Sequence, residues 1–229
     1  MIPKVIHYCW FGGKEKSPEV LRMIASWREK CPDYEIREWN EDNFDINRNV
    51  YTRQAYQMKK WAFVSDVARL YALVTEGGIY LDTDVEVLRP FDELLSAKAF
   101  IGFEGCEHIG TSVIASERGN GFLKDFLDAY NDKVFINKDN TLNESTNVGE
   151  ITARFEKEGL IKNGQKQVLG DFVIYPTDYF APYDYIAGKL NTTGNTYSIH
   201  WFAKSWIKHS KIRVWLSQLW HRIIGVKMK

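Results

Sequence analysis

Asp82 and Asp84 stand two residues apart in the run Ile79-Tyr80-Leu81-Asp82-Thr83-Asp84. On an extended chain, residues so spaced point the same way, so the two carboxylates converge on one spot. Like charges that close repel unless a cation sits between them. Oxygen ligands suit Mg²⁺ or Mn²⁺, ions that complete their shell with water and substrate phosphates. The pair is therefore half of a site, with a diphosphate as the other half. An isolated Asp-x-Asp is more often a solvated turn or surface triplet, so its surroundings decide.

Asp66 and Arg69 lie three apart on the helical stretch just before, hence on one face. Such a pair is commonly an exposed ion pair of little energetic value. Here the helix runs through Gly77-Gly78 directly into the Asp-x-Asp strand, so its polar face can reach the same cleft. Near the amino end, His7-Tyr8-Cys9-Trp10-Phe11-Gly12-Gly13 sets aromatics at the end of the first strand and a Gly pair after them. Nucleotides bind beyond the carboxyl ends of strands in α/β sheets, and a base stacks on an aromatic ring. Further on, Ser198-Ile199-His200-Trp201-Phe202-Ala203-Lys204-Ser205-Trp206 follows an imidazole with a cation, a hydroxyl and an indole N–H. All of these groups can engage a metal or phosphate oxygens.

The elements that must position these residues alternate strand and helix, the order of an α/β domain. Strands are expected at 3–8, 34–39, 79–81, 85–88, 100–103, 112–115 and 173–175. Helices are expected at 18–30, 61–76, 121–130 and 151–158. The helix at 61–76 carries the stripe Phe63, Val67, Leu70, Tyr71 and Val74, and Gly77-Gly78 stops it. The polar, Asn-rich stretch 131–147 reads as an exposed excursion near the site, ordered only when donor binds.

The chain has 229 residues, 45% hydrophobic and 14% aromatic, which excludes general disorder and suits one domain. No apolar run approaches the roughly 18 residues of a spanning helix. The first residues lack the pattern of a signal peptide, and three cysteines with no C-x-x-C pair suggest no disulfide framework, so a cytoplasmic location is expected. Formal net charge is zero, yet no acid follows Asp184 while eight Lys and Arg do. Ile212, Trp215, Leu216, Leu219, Trp220, Ile223 and Ile224 share one helical face. The expected division is a catalytic domain at 1–206 and a basic amphipathic helix at 207–229. That helix would lie peripherally on an anionic membrane surface, and no nucleic-acid partner is expected.

The segments Ile2-Pro3-Lys4-Val5-Ile6-His7…Trp10, Ser65-Asp66…Arg69 and Gly77-Gly78-Ile79-Tyr80-Leu81-Asp82-Thr83-Asp84 resemble the family 32 glycosyltransferases with a DXD sugar-binding region. This family includes capsule and lipopolysaccharide enzymes, yeast initiating mannosyltransferases and, more distantly, clostridial glucosylating toxins. The likeness recurs at 200–206. It implies a GT-A fold, a nucleotide-sugar donor, Mn²⁺ or Mg²⁺, and retention of anomeric configuration. It implies that Trp10 stacks near the base and that Tyr80 lines the nucleoside pocket. Asp66 and Arg69 would hold donor hydroxyls and the sugar–phosphate region, with Arg69, Asp82 and Asp84 as the catalytic set. Asp82, Asp84 and His200 would hold the metal, and Lys204, Ser205 and Trp206 would close over the diphosphate. The acceptor would be a glycan or a lipid-linked species.

No nucleophile follows from the sequence. Glu104, Asn147 and Asp171 are candidates from polarity alone, and a same-face mechanism needs none of them. Two other readings compete: a phosphoryl-transfer enzyme with an Asp nucleophile, and an inactive sugar-binding protein. The first wants its Asp pair near the amino end, and the second would not require both carboxylates, Arg69 and the 200–206 segment together. Repulsion between Asp82 and Asp84 leads one to expect that removing Asp84 leaves metal-free stability unchanged or slightly raised.

Overall fold

Short apolar runs punctuated by capped helices build a mixed sheet with cover on both faces; the structure, a computed structural model, describes residues 1–203. The chain begins with β1 (Val5–Cys9), α1 (Pro18–Lys30), β2 (Glu35–Trp39), α2 (Val50–Gln57) and α3 (Trp61–Glu76). Next come β3 (Gly78–Leu81), β4 (Val85–Val87), β5 (Ala99–Glu104), β6 (His108–Ser116), α4 (Gly121–Asp128) and α5 (Asn147–Lys157). The last described elements are β7 (Gln167–Leu169), β8 (Phe172–Tyr175), α6 (Thr177–Phe180), β9 (Tyr183–Asp184), β10 (Lys189–Leu190) and β11 (Ser198–His200).

Seven strands pair in the order β2-β1-β3-β6-β5-β8-β7. β1 runs parallel to β2 and β3, and β5 parallel to β8, whereas β6 and β7 run antiparallel to their neighbours. The carboxyl ends of β1, β2, β3, β5 and β8 therefore share one edge, where α/β sheets place their ligands. Strand alternation separates two cores. Ile6, Ile79, Leu81 and Phe100 pack with Ile24 and Trp27 of α1 on one face, and Tyr80, Ile101 and Ile114 pack with Val67 and Leu70 of α3 on the other. Outside the main sheet, β4 pairs antiparallel with β11, setting His200 opposite Val85.

The α3–β3 junction shows why the Gly pair is there. Gly78 has φ +109, and a Cβ on it would come within 2.6 Å of the Val5 carbonyl oxygen and 2.9 Å of His7 Nε2. His7, fully buried, lies with Nε2 2.7 Å from the Gly77 carbonyl, while the Trp39 indole N–H meets Nδ1 at 3.0 Å. An indole only donates, so Nδ1 accepts, Nε2 carries the proton and the ring is neutral. Burial lowers the pKa of His7 below its ordinary 6.5, with the Gly77 hydrogen bond opposing. The native state thus binds fewer protons than the unfolded chain, and stability falls as pH drops below about 6.5. Urea unfolding should show a steeper loss between pH 7.5 and 5 in the wild type than in His7→Gln. Equal pH slopes would show that His7 does not titrate differently on folding.

Several expectations shift. α2 has no apolar periodicity to announce it, because its buried face is Tyr51, Thr52 and Ala55. The 131–147 excursion is largely exposed, with anchors where Phe135 is fully buried, Ile136 bridges Leu142 and Asn147 opens α5 from a buried position. Among the described residues no helix is long and apolar enough to cross a membrane. The expected helix at 207–229, and Lys204, Ser205 and Trp206, lie outside the described residues.

Candidate metal and donor-binding site

Beyond β3 the chain turns through Asp82-Thr83-Asp84 before β4, and this turn sits at the ligand-binding edge of the sheet. The Asp82 N–H donates to the Ser112 carbonyl at 2.9 Å, so the start of the turn is fixed to β6. The register between β5 and β6 passes from Ile101 opposite Ile114 to Gly102 opposite Gly110, leaving 111–113 without partners on β5. That irregularity leaves the Thr111 carbonyl to accept from Arg69 Nη1 at 2.9 Å.

Arg69 is the hub of the buried half of the site. Its Nη2 lies 3.0 Å from Asp66 and 3.3 Å from Asp82, and its guanidinium sits 4.6 Å from the Tyr80 ring centre. The Tyr80 hydroxyl donates to Asp82 Oδ1 at 2.8 Å. The Asp66–Arg69 pair is therefore an almost wholly buried clamp and not an exposed helical ion pair, its side chains only 12% and 6% exposed. Burial pushes Asp66 up to about 6, against the pull of Arg69. Burial likewise raises Asp82, with Arg69 opposing and Asp84 adding to the rise.

Asp84 is held differently. Its Oδ2 accepts the Ala203 N–H at 2.8 Å, and its backbone carbonyl accepts the Trp201 N–H at 3.0 Å. His200 Nε2 stands 3.4 Å from Asp84 Oδ1. Burial raises the Asp84 pKa, but His200 and the backbone N–H groups outweigh it and hold the carboxyl below its ordinary value. For His200, burial lowers the pKa, yet Asp84 and then Glu104 carry it up to about 10. The imidazolium thus supplies positive charge beside the two carboxylates.

One ligand atom each from Asp82, Asp84 and His200 fall within 4.8 Å of one another. Bonds of about 2.1 Å put adjacent octahedral ligand atoms about 3 Å apart and opposite ones about 4.2 Å apart. Two carboxylate oxygens and an imidazole nitrogen inside this limit are a donor set that suits a divalent ion, which would draw them closer on binding. Metal would then take the place of the His200 proton.

The other expected donor groups are not gathered as closely. Trp10 is half-buried after β1, its indole N–H donating to the Lys14 carbonyl at 2.6 Å and Lys16 lying over its ring. Arg69, by contrast, lies within the cluster, where it holds Asp66 and Asp82. Of the candidates from polarity, Glu104 reaches the site with Oε2 3.5 Å from His200 Nδ1. Asn147 donates to the Asp66 carbonyl at 3.1 Å. Asp171 precedes β8 at the opposite edge of the sheet, paired with Lys98 at 2.8 Å, and is excluded from the chemistry. Cys9 was not legible as a neighbour of this cluster: it faces Ser65 and Tyr80, and burial pushes its thiol up to about 12, against Arg69, so it stays protonated.

The architecture is that of a GT-A fold, with an Asp-x-Asp turn at its ligand edge. Residues 17–101 match the model for the glycosyltransferase sugar-binding region containing a DXD motif, so this part of the chain is similar to the glycosyltransferases that carry it. It is 28% identical over 134 residues to inositol phosphoceramide mannosyltransferase 3 of Schizosaccharomyces pombe, covering 53% of this chain and 35% of that protein. It is 26% identical over 160 residues to subversion of eukaryotic traffic protein A of Legionella pneumophila, covering 56% of this chain and 25% of that protein. The chain thus spans between a quarter and about a third of these relatives. Uncharacterized glycosyltransferase L373 of Acanthamoeba polyphaga mimivirus is 22% identical, with 93% of this chain and 86% of that one covered. In fold, the chain is similar to the galactosyltransferase LgtC in complex with donor and acceptor sugar analogs, with a TM-score of 0.50, 12% identity, and 98% and 96% of the two chains covered.

Proposed function

We propose that this chain is a retaining, divalent-metal-dependent hexosyltransferase. It would move a sugar from a nucleoside diphosphate to a hydroxyl of a glycan or lipid-linked acceptor. The observation that carries this reading is the convergence of Asp82, Asp84 and His200 within 4.8 Å at the carboxyl edge of the sheet. A mixed set of two oxygens and one nitrogen leans toward Mn²⁺ over Mg²⁺. The bound ion would supply charge neutralisation for the departing diphosphate.

The chain's own residues then divide the work. Arg69 and Tyr80 fix the Asp82 carboxylate, so it need not reorganise when donor arrives. Asp84 ties the segment at 201–203 to the site through two backbone N–H groups. With no carboxylate assigned to the opposite face of the sugar, the leaving phosphate takes the acceptor proton on the same face. UDP-galactose and UDP-glucose are the favoured donors; GDP-mannose stays in view because the fission-yeast relative is a mannosyltransferase. The basic last 45 residues favour an acceptor at an anionic surface, as in surface polysaccharide synthesis.

A donor panel with Mn²⁺, read by nucleotide release, tests this proposal. One donor should be hydrolysed or transferred well above the rest, and a chelator should stop it. Turnover of none, or turnover unaffected by chelator, would overturn the reading.

A further inference from the structure

The His200 ring has two nitrogens and only one can ligate an ion. Nε2 faces Asp84, while Nδ1 is buried and has no hydrogen-bond partner. Glu104 Oε2 stands 3.5 Å from it. No Lys or Arg forms an ion pair with Glu104 among the described residues.

The fold aims Glu104 there. Alternation along β5 puts Phe100, Gly102 and Glu104 on the face where α6 and β11 pack. Across the ladder, Gly110 leaves room for the Glu104 side chain: a Cβ there would stand 3.2 Å from Glu104 Cβ and 3.3 Å from Oε2. The strand end is pinned as well, since the Thr177 hydroxyl donates to the Gly105 carbonyl. A carboxylate held against a buried imidazole nitrogen, with the other nitrogen turned to Asp84 in a cluster shared with Asp82, is the layout of a metal-ligating histidine and its orienting partner.

We infer that Glu104 is the positioning residue of the metal site: it accepts the His200 Nδ1–H and so presents the Nε2 lone pair to an ion shared with Asp82 and Asp84. This rests on the metal-site reading above. A closure of a few tenths of an ångström converts the 3.5 Å approach into a hydrogen bond. Glu104 then acts through His200 and not on the sugar.

Binding of Mn²⁺ alone to the whole chain, followed by the electron paramagnetic resonance of free Mn²⁺, tests the inference without any turnover. Glu104→Leu should weaken binding about tenfold or more, while Glu104→Gln, which keeps an acceptor oxygen, should recover most of it. Gly110→Ala, which leaves Glu104 in place but crowds its carboxylate, should weaken binding severalfold and serves if the leucine variant does not fold. Wild-type protein that fails to bind Mn²⁺ would overturn the metal site itself, and this inference with it. Wild-type binding matched by Glu104→Leu, or by Gly110→Ala where the leucine variant fails, would overturn the role of Glu104 alone.

Discussion

Asp84→Ala is expected to abolish sugar transfer and donor hydrolysis together, a loss on the order of 10³-fold or more. The substitution removes a proposed ligand and also the acceptor of the Ala203 N–H, while the Trp201 N–H keeps its bond to the backbone carbonyl of residue 84. Simple repulsion between Asp82 and Asp84 would have the metal-free variant as stable as the wild type or slightly more so. The arrangement of partners argues the reverse. Asp82 is already matched by Arg69, and Asp84 by His200, so deleting Asp84 leaves a buried imidazole short of its main counter-charge. Metal-free melting should therefore fall in Asp84→Ala, and less in Asp84→Asn, which retains an acceptor for Ala203. Transfer at near wild-type rate in chelator would remove Asp84 from the site; an unchanged melting temperature would show that the His200 pairing contributes little.

Arg69 should show the largest stability effect. Arg69→Met strips the counter-charge from both Asp66 and Asp82 in a buried setting, where breaking an ion pair costs about 3–5 kcal/mol. For a chain of this size that lowers the melting temperature on the order of 10 °C. Arg69→Lys is expected to rescue little, since one ammonium cannot serve Asp66, Asp82 and the Thr111 carbonyl at once. Thermal melts followed by circular dichroism decide the matter. A lysine variant within a degree or two of wild type would mean that charge alone, not the forked geometry, holds the clamp.

What the sequence made legible was local. Two-residue spacing marked Asp82 and Asp84, three-residue spacing joined Asp66 to Arg69, and the Gly pair marked the end of α3, because each depends on backbone periodicity within a few residues. The residues around His200 marked it as a group that could engage a metal, but its place beside Asp82 and Asp84 came only through family resemblance, since the pairing of β11 with β4 that delivers it is a long-range event with no local signature. Glu104 looked no different from Asp171, and only the direction of β5 and β8 separates them: one ends at the ligand edge, and the other lies at the far one. Cys9 and the Thr111 carbonyl depend on packing and on a shift of register, which residue spacing does not encode.

The pairing of β4 with β11 also bears on how the site comes into being during synthesis. Asp84 and Ala203 are joined across 119 positions, so the Asp-x-Asp turn leaves the ribosome long before its third donor. At synthesis rates of about 5–20 residues per second, that interval lasts several seconds. Throughout it β4 has no β11 to pair with and Asp84 has no imidazole beside it. A nascent chain stalled before residue 198 would hold most of the main sheet yet lack the complete ion-binding triad. On the proposed metal-binding role, the triad would be a late checkpoint: an ion held there would report that nearly all of the described chain has been made and folded back onto its first half.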